Sequence, residues 1–210
     1  MDTYISMANS GDAYTPEEKE LMVTRKCLKI MKEKDVNLLV ITKSDIVARD
    51  VDILQDMKAS VSITITTLDE EKAKIFEPFA PLPAKRIKAL EKLYEHAIPC
   101  SVRIDPIIPG INDGEVEEIV KEISPFASHV IASTLKPRND AIRRLEKIFD
   151  IKKYNWKKVG SSFYLPREER FKMLKKVEEA CRKHSLSFAT CREGYKFNSE
   201  SCDGSHLIPR

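Results

Sequence analysis

The chain has 210 residues, of which 42% are hydrophobic and 33% are charged, and its formal net charge is +3. This length predicts one domain with a hydrophobic core, and so small a net charge indicates no class of partner by itself. No apolar run approaches the roughly 20 residues of a membrane span, and the polar N-terminus lacks a signal-peptide pattern. The five cysteines are scattered and odd in number, which is typical of reduced thiols. We therefore expect a cytoplasmic protein without a membrane partner.

Five segments have the composition of β-strands, with apolar and β-branched residues that run together or alternate. Segments of helical periodicity separate them, and this order predicts a parallel sheet with right-handed crossovers. The predicted strands are residues 4–7, 37–42, 60–66, 100–104 and 129–133.

The predicted helices begin at capping patterns and carry apolar stripes. A Thr-Pro-Glu-Glu sequence at residues 15–18 opens the first helix, and its inward stripe is expected to contain Val23, Cys27 and Ile30. A second capping pattern begins at Thr67. The predicted helices are residues 15–34, 45–57, 67–76, 84–96, 114–123 and 139–149.

Beyond residue 150 the alternation of strand and helix changes. A loop rich in lysine and aromatic residues leads to a helix at 166–184, a short strand at 185–189 and an irregular tail. We therefore predict a sheet domain at residues 1–150 and a C-terminal helical and irregular extension, residues 151–210, packed on it.

One predicted strand has a hydroxyl-lined face. Ser60, Ser62, Thr64 and Thr66 alternate with the apolar Val61, Ile63 and Ile65 in the segment 60–66. Because side chains alternate across a strand, all four hydroxyls lie on the same face. A sheet covered by helices on both faces would be apolar on both, so this pattern predicts a barrel whose lumen holds water or a ligand.

The alternative fold is a doubly wound sheet of the flavodoxin or Rossmann type, which would show the same alternation. The sequence has neither a Gly-x-Gly-x-x-Gly nor a Walker glycine loop, and the hydroxyl face favours a barrel. We predict an α/β fold, a partial, open (βα) barrel of five parallel strands. Its exposed edge near residues 4–7 would invite strand pairing or aggregation, which predicts a homodimer or poor solubility.

Polar residues follow the predicted strands at their carboxyl ends, where α/β sheets and barrels bind ligands. Lys43 follows the second strand, and Arg103 and Asp105 end the fourth. Arg103 and Asp105 could pair with each other or orient a ligand, and the sequence leaves both open.

Five short motifs occur in order along the chain. They are Asn9-Ser10-Gly11-Asp12, Ile41-Thr42-Lys43-Ser44, Ser62-Ile63-Thr64-Ile65-Thr66, Phe76-Glu77-Pro78 and Val102-Arg103-Ile104-Asp105-Pro106. In their order and approximate spacing the chain resembles, from about residue 4 to residue 207, the spore photoproduct lyase-like group of the radical SAM superfamily, often named DNA repair photolyase.

The resemblance implies S-adenosylmethionine and a [4Fe-4S] cluster as cofactors. In the family, the cluster cleaves S-adenosylmethionine to a 5′-deoxyadenosyl radical that abstracts a hydrogen atom from the substrate. Three cysteines spaced Cys-x3-Cys-x2-Cys hold that cluster, since it needs thiolate ligands. This sequence has no such triplet. We expect the chain to begin at the family's second strand and to lack the cluster segment.

The resemblance also implies cofactor contacts. Ser10, Lys43 and Ser62 correspond to residues that contact S-adenosylmethionine, and Arg103 could orient its carboxylate. The strand around Ile131 corresponds to the place where such barrels cradle adenine. The competing interpretations are a solvated lysine, serines that satisfy turns, and an ordinary buried strand.

The cysteines fall into two groups. Cys27, Cys100 and Cys181 lie on apolar faces and are expected to be core thiols. Cys191 and Cys202 lie in the polar tail near His206, and these three are weak candidates for metal ligands because their spacing matches no compact knuckle.

The segment 143–176 has twelve Lys or Arg against four Asp or Glu, with Tyr154, Trp156, Phe163 and Tyr164 interleaved. Basic side chains neutralise phosphates and aromatic rings stack on bases. This pattern predicts a nucleic-acid partner, against the alternative of a solvated helix and linker.

Two functions follow. The first is a radical SAM, lyase-like DNA repair enzyme whose cluster segment is supplied from elsewhere. The second is a non-catalytic remnant, or a module that binds nucleotide or nucleic acid without radical chemistry.

Overall fold

The computed structural model describes residues 3–7 and 11–210, and these residues form a six-stranded parallel sheet with strand order β1-β2-β3-β4-β5-β8. The α/β prediction is therefore confirmed. The strands of this sheet are β1 (Ile5–Met7), β2 (Leu38–Thr42), β3 (Ala59–Thr64), β4 (Cys100–Ile107), β5 (His129–Thr134) and β8 (Ser187–Thr190).

Helices connect the strands, and a small hairpin of β6 (Lys157–Val159) and β7 (Ser162–Tyr164) stands apart from the main sheet. Short 3-10 turns at Asp45–Asp50, Ile151–Lys153 and Ser205–Leu207 complete the described elements. The helices are α1 (Glu18–Leu21), α2 (Val23–Glu33), α3 (Val51–Leu54), α4 (Glu70–Phe76), α5 (Pro83–Glu95), α6 (Val116–Ile123), α7 (Asn139–Leu145) and α8 (Arg167–Lys183).

The sixth strand corrects the predicted count of five. The short strand expected in the C-terminal extension pairs with β5 in parallel, His129 opposite Ser187, because α8 carries the chain back along the sheet as a crossover helix. The two parts of the chain on either side of residue 150 thus share one sheet. The boundary at that residue stays a prediction.

The strand order leaves β1 and β8 as edges of the described sheet. Ile5 of β1 is 45% exposed, in agreement with the predicted open edge. Dimerisation through this edge stays a prediction.

One face of the sheet packs against the helices. Val61, Ile63 and Ile65 are fully buried there in one hydrophobic cluster with residues such as Leu90 and Ile119. The opposite face of β3 carries Ser60, Ser62 and Thr64, and Thr66 follows the strand, so the predicted division of the strand into apolar and polar faces is correct.

The predicted inward stripe of the first helix is wrong. Met22 adopts a left-handed conformation, with φ of 49°, and divides the predicted helix into α1 and α2. The break resets the helical phase, so that Thr24 and Leu28 face inward, whereas Val23 and Ile30 are more than half exposed. Of the expected core thiols, Cys100 and Cys181 are buried and Cys27 is half-buried.

Candidate functional site

Polar side chains collect where the strands end, which is the mouth of the open barrel. Lys43 follows β2, and Ser133 lies near the end of β5. Arg103 lies within β4, opposite Thr64, which is the last residue of β3, and Asp105 lies two residues further along β4. Parallel strands end at the same edge of a sheet, so the topology brings these predicted residues to one side of the molecule.

The backbone around Lys43 is fixed by Asp12. The two carboxylate oxygens of Asp12 accept hydrogen bonds from Thr42 Oγ1 at 2.6 Å and from the Lys43 backbone N–H at 2.7 Å. The same carboxylate accepts the backbone N–H of Tyr14 at 2.9 Å. The loop before α1 and the end of β2 are therefore held together at the mouth.

The Lys43 side chain contacts a shared carboxylate. Its Nζ lies 2.7 Å from Glu77 Oε1, and Glu77 Oε2 lies 2.6 Å from Arg86 Nη2. Burial alone would raise the pKa of Glu77, but the positive charges of Lys43 and Arg86 outweigh it and lower that pKa. One negative charge between two positive charges leaves a net positive charge here. Lys43 is the exposed member, at 38% against 1% for Arg86.

Arg103 and Asp105 form the ion pair that was one of the two predicted possibilities. Arg103 Nη2 lies 3.2 Å from Asp105 Oδ2, and Ser133 Oγ donates to Asp105 Oδ1 at 2.6 Å. Ser133 on β5 thus fixes the Asp105 carboxylate, which in turn pairs with Arg103. One nitrogen of the guanidinium is engaged by this pair, and a guanidinium has five N–H donors.

Ser62 lies deeper in a polar row that crosses the inner face of the sheet. Ser62, Ser101, His129 and Ser187 stand in register on four neighbouring strands. Ser101 Oγ donates to Ser62 Oγ at 2.9 Å, and His129 Nδ1 lies 2.8 Å from Ser187 Oγ. The predicted polar inner face is therefore present.

The expectation of an open, wet face is wrong. Ser60, Ser62, Thr64 and Thr66 are all at least 94% buried. The C-terminal tail lies against this face: Gly204 packs on Ser101. The sequence pattern could not show this cover, because it comes from a segment distant in the sequence.

His129 is the buried titratable group of the polar row. Burial and the neighbouring His206 lower the pKa of His129 to about 4. The two rings meet edge to face, with their centroids 4.7 Å apart. Among the described residues, His129 Nε2 has no hydrogen-bond partner, and Ser60 Oγ has none either.

Two further residues, Ile131 and Ser10, were predicted to contact the cofactor, and only Ile131 belongs to the described residues. Ile131 is fully buried on the inner face, in register with Arg103. Ser10 lies outside the described residues. The assignment of Ser10, Lys43, Ser62, Arg103 and Ile131 to a cofactor stays a prediction.

Sequence reasoning missed the buried carboxylate of Glu193. It accepts hydrogen bonds from the N–H and Oγ1 of Thr134, at 2.7 and 2.8 Å. It also pairs with Lys136 at 2.6 Å and with Arg170 at 2.5 Å. Glu193 thereby joins the end of β5 to α8 and to the tail, and nothing in its local sequence indicates that role.

Asn112 and Glu115 organise the loops of the mouth and were also missed. The Asn112 amide donates to Thr66 O at 2.7 Å and to Pro106 O at 3.1 Å. Glu115 accepts hydrogen bonds from Thr67 Oγ1 and from the Lys72 ammonium. The capping pattern predicted at Thr67 did not indicate these contacts. The Thr67 hydroxyl binds Glu115 instead of capping a helix, and Asp69 caps α4.

The basic segment 143–176 lies along the same end of the sheet. Phe149 packs on Phe76 of α4, with centroids 6.2 Å apart, and Tyr154 OH donates to Pro109 O at 2.6 Å. The N–H of Phe163 in the hairpin donates to Pro137 O at 2.9 Å. The segment therefore contacts chain that follows β3, β4 and β5, which places it beside the mouth.

The candidate metal ligands are not brought together. Among residues 3–7 and 11–210, no group of three or more His, Cys, Asp or Glu side chains could hold a metal ion. Cys191 is half-buried, Cys202 is exposed, and His206 Nδ1 lies 2.7 Å from Ser201 Oγ.

The sequence model of the radical SAM superfamily matches residues 7–123. The chain belongs to this superfamily. The predicted membership of the radical SAM superfamily is thereby confirmed. Membership implies S-adenosylmethionine and an iron–sulfur cluster as the cofactors of the family.

Two relatives have similar sequences. An uncharacterized protein of Methanocaldococcus jannaschii, MJ0683, is 41% identical over 125 residues, which are 59% of this chain and 47% of that protein. An uncharacterized protein of Acidianus two-tailed virus, ORF301, is 34% identical over 120 residues, 56% of this chain and 38% of that protein. The matched region thus spans less than half of either relative.

Solved structures share the fold. A spore photoproduct lyase variant superposes with a TM-score of 0.69 at 15% identity, covering 90% of this chain and 60% of that one. A variant of the same enzyme with bound AdoMet and dinucleoside spore photoproduct gives 0.64 at 18% identity, over 87% and 57% of the two chains. These likenesses confirm the α/β, partial-barrel architecture.

The described residues do not fit an iron–sulfur cluster. The five cysteines lie on α2, β4, α8, the end of β8 and the tail, and none shares a metal-capable group with others. The mouth suits S-adenosylmethionine better, because it offers the exposed ammonium of Lys43 and the guanidinium of Arg103, whose other donors Asp105 leaves free. None of the described helices is long and apolar enough to cross a membrane.

Proposed function

We propose that this chain binds S-adenosylmethionine at the mouth of its barrel, as part of a radical SAM system that acts on a nucleic-acid lesion or a related substrate. The observation that carries this proposal is the net positive charge at Lys43, at the same end of the sheet as Arg103, on a radical SAM fold. A zwitterionic amino acid with a carboxylate suits that charge.

Lys43 binds the carboxylate of the methionyl group in this proposal. Its ammonium can leave Glu77 without stranding that carboxylate, since Glu77 keeps Arg86 at 2.6 Å. Arg103 orients the ligand through donors that Asp105 leaves free, and Ser133 keeps Asp105 in place. Ser10, which lies outside the described residues, would contact the ribose, and Ser62 and Ile131 would form the buried wall of the site.

The substrate class follows from the basic segment. Lys153, Lys157 and Lys158 are exposed beside the mouth, and no ion pair involves them among the described residues. Lys153 lies over the Tyr154 ring, 5.0 Å from its centroid. Cations and rings on one surface suit a phosphodiester backbone with exposed bases. A solved relative that holds a dinucleoside spore photoproduct supports the same class.

Calorimetric titration of S-adenosylmethionine into the purified chain tests the proposal. We expect the wild type to bind and Lys43→Ala to bind at least about tenfold more weakly, a loss of about 1.4 kcal/mol. Fold should be kept, because Arg86 still pairs with Glu77 in that variant.

Lys58→Ala is the matched control. Lys58 is 41% exposed and pairs with Asp35 at 2.6 Å, much as Lys43 pairs with Glu77, but it precedes β3 at the opposite end of the sheet. Its removal should leave binding unchanged. Equal affinity of wild type and Lys43→Ala shows that the site is wrongly assigned, and no binding by the wild type shows that the proposed function is wrong.

A second function, binding of nucleic acid without radical chemistry, is favoured by one observation. The five cysteines are dispersed over separate elements, so this chain offers no thiolate set for a cluster. Calorimetric titration of S-adenosylmethionine separates the two functions, because only the first requires the chain to bind it.

A further inference from the structure

Gly204 makes a close approach that a side chain would prevent. Its φ is +89°, which L side chains rarely adopt. A Cβ atom at this position would lie 2.8 Å from Ser101 Oγ and 3.4 Å from Ser101 Cβ, and 3.6 Å from Ile131 Cδ1. The tail backbone therefore lies directly on the inner face of the sheet.

Ser101, which lies under Gly204, is hydrogen-bonded to Ser62, a residue proposed to contact the cofactor. Ser101 Oγ donates to Ser62 Oγ at 2.9 Å, and both side chains are at least 99% buried. Any displacement of Ser101 changes the position of its hydroxyl relative to Ser62. Ile131, the other residue against Gly204, is a second proposed contact of the cofactor.

The tail cannot easily retreat from the sheet, because side-chain contacts hold it on both sides of Gly204. On one side, Tyr4 OH next to the β1 edge donates to Asp203 Oδ2 at 2.5 Å. On the other side, His206 packs edge to face on the buried His129. Steric pressure at residue 204 is thus passed to Ser101 and Ile131.

We infer that Gly204 is a positioning residue for the cofactor site, which it supports through Ser101 and Ser62. This inference rests on the proposed function. The tail segment 201–206 covers the inner face at Ser101, and Gly204 thereby sets the positions of Ser101 and Ile131 in the buried wall of the proposed site. The absence of a side chain at this position keeps the Ser101–Ser62 hydrogen bond in place.

Gly204→Ala tests the inference, with Gly194→Ala as the matched control. Gly194 also has a left-handed φ, +77°, but nothing lies within 4 Å of its Cβ position. Both substitutions carry the conformational cost of alanine at positive φ, and only the first adds the contact with Ser101. We expect Gly204→Ala to weaken S-adenosylmethionine binding at least fivefold in calorimetry, and Gly194→Ala to bind as the wild type does.

A rescue variant separates positioning from loss of stability. Ser101→Ala removes the oxygen at 2.8 Å and leaves a carbon at 3.4 Å, a distance that a small shift accommodates. The double variant Ser101→Ala/Gly204→Ala should therefore bind S-adenosylmethionine as well as Ser101→Ala alone. If backbone strain caused the loss, the double variant would bind worse than Ser101→Ala, and the inference would be overturned.

A readout without ligand completes the test. In methyl NMR spectra of protein labelled at the isoleucine δ1 carbon, Gly204→Ala should shift the Ile131 resonance and Gly194→Ala should not. A shifted Ile131 signal with unchanged affinity overturns the inference and leaves the proposed function standing. Failure of the wild type to bind S-adenosylmethionine overturns both.

Discussion

Glu77 holds Lys43 and Arg86 at the same time, one on each carboxylate oxygen. The Lys43 contact is 2.7 Å and solvent-exposed, whereas the Arg86 contact is 2.6 Å and buried. Arg86 also donates to Thr64 O and Pro81 O, which ties the end of β3 to the loop before α5. The Glu77 carboxylate therefore pairs with the buried Arg86 through one oxygen and with Lys43 at the mouth through the other.

Removal of the Glu77 carboxylate should destabilise the fold. In Glu77→Ala the Arg86 charge stays buried without its counter-ion, and breaking a buried pair costs about 3 kcal/mol or more. Urea denaturation should show this loss in the free energy of unfolding. Glu71→Ala is the control, because Glu71 is 79% exposed and pairs with the exposed Lys74. A loss no larger than that of the control would contradict a structural role for the Glu77–Arg86 pair.

Buried His129 should make the protein less stable in mild acid. Its pKa is lowered from 6.5 to about 4, so the unfolded chain binds a proton at this residue more readily than the folded chain. The free energy of unfolding is therefore highest above pH 6.5 and falls as the pH decreases towards 4, by about 3 kcal/mol in total.

The comparison that isolates this effect is wild type against His129→Asn, each unfolded in urea at several pH values. His206, Asp203 and Arg103 also act on His129, and carboxylates such as Glu77 add their own loss at acid pH. Subtracting the two profiles removes those shared contributions. A difference that stays constant between pH 6.5 and 4 would show that His129 does not titrate as its burial requires.

Much of this fold could be predicted from local sequence patterns. The division of residues 60–66 into an apolar and a hydroxyl face needs only the period of a strand, and the structure agrees with it. The ion pair of Arg103 and Asp105 was also foreseeable, because two residues apart on a strand they share a face. Family membership came from motifs that are short individually but specific in their order.

What the sequence could not show depends on contacts between distant residues. The hydroxyl face is covered because Gly204 reaches Ser101. Glu193 binds Thr134 and Arg170 through partners that no local pattern connects. The wrong stripe on α2 has a local cause, the left-handed Met22, but a non-glycine residue gives little sign of such a conformation.

The chain on its own should not assemble a four-iron cluster. All five cysteines belong to the described residues and lie on separate elements without a shared metal-capable group, while a cluster needs several thiolates around it. After anaerobic incubation with iron and sulfide and desalting, iron analysis should give well under one iron per chain. About four irons with the absorption of a cluster would contradict this expectation and favour radical chemistry by the chain alone.

The hairpin lysines should carry part of any nucleic-acid affinity. Lys157 and Lys158 are exposed on β6, and their hairpin is fixed to the chain after β5 by the bond from Phe163 N–H to Pro137 O. Each phosphate contact with a single strand contributes about −0.7 to the slope of log K against log salt. In fluorescence anisotropy with a labelled oligonucleotide, Lys157→Glu/Lys158→Glu should bind more weakly and lower the magnitude of that slope by about 1.4.

The control variant Lys88→Glu/Lys92→Glu makes the same charge change on α5, where both lysines are exposed. Because that helix is not part of the basic segment, the control should retain wild-type affinity and slope; equal losses in both variants would mean that net charge, and not a surface beside the mouth, governs binding.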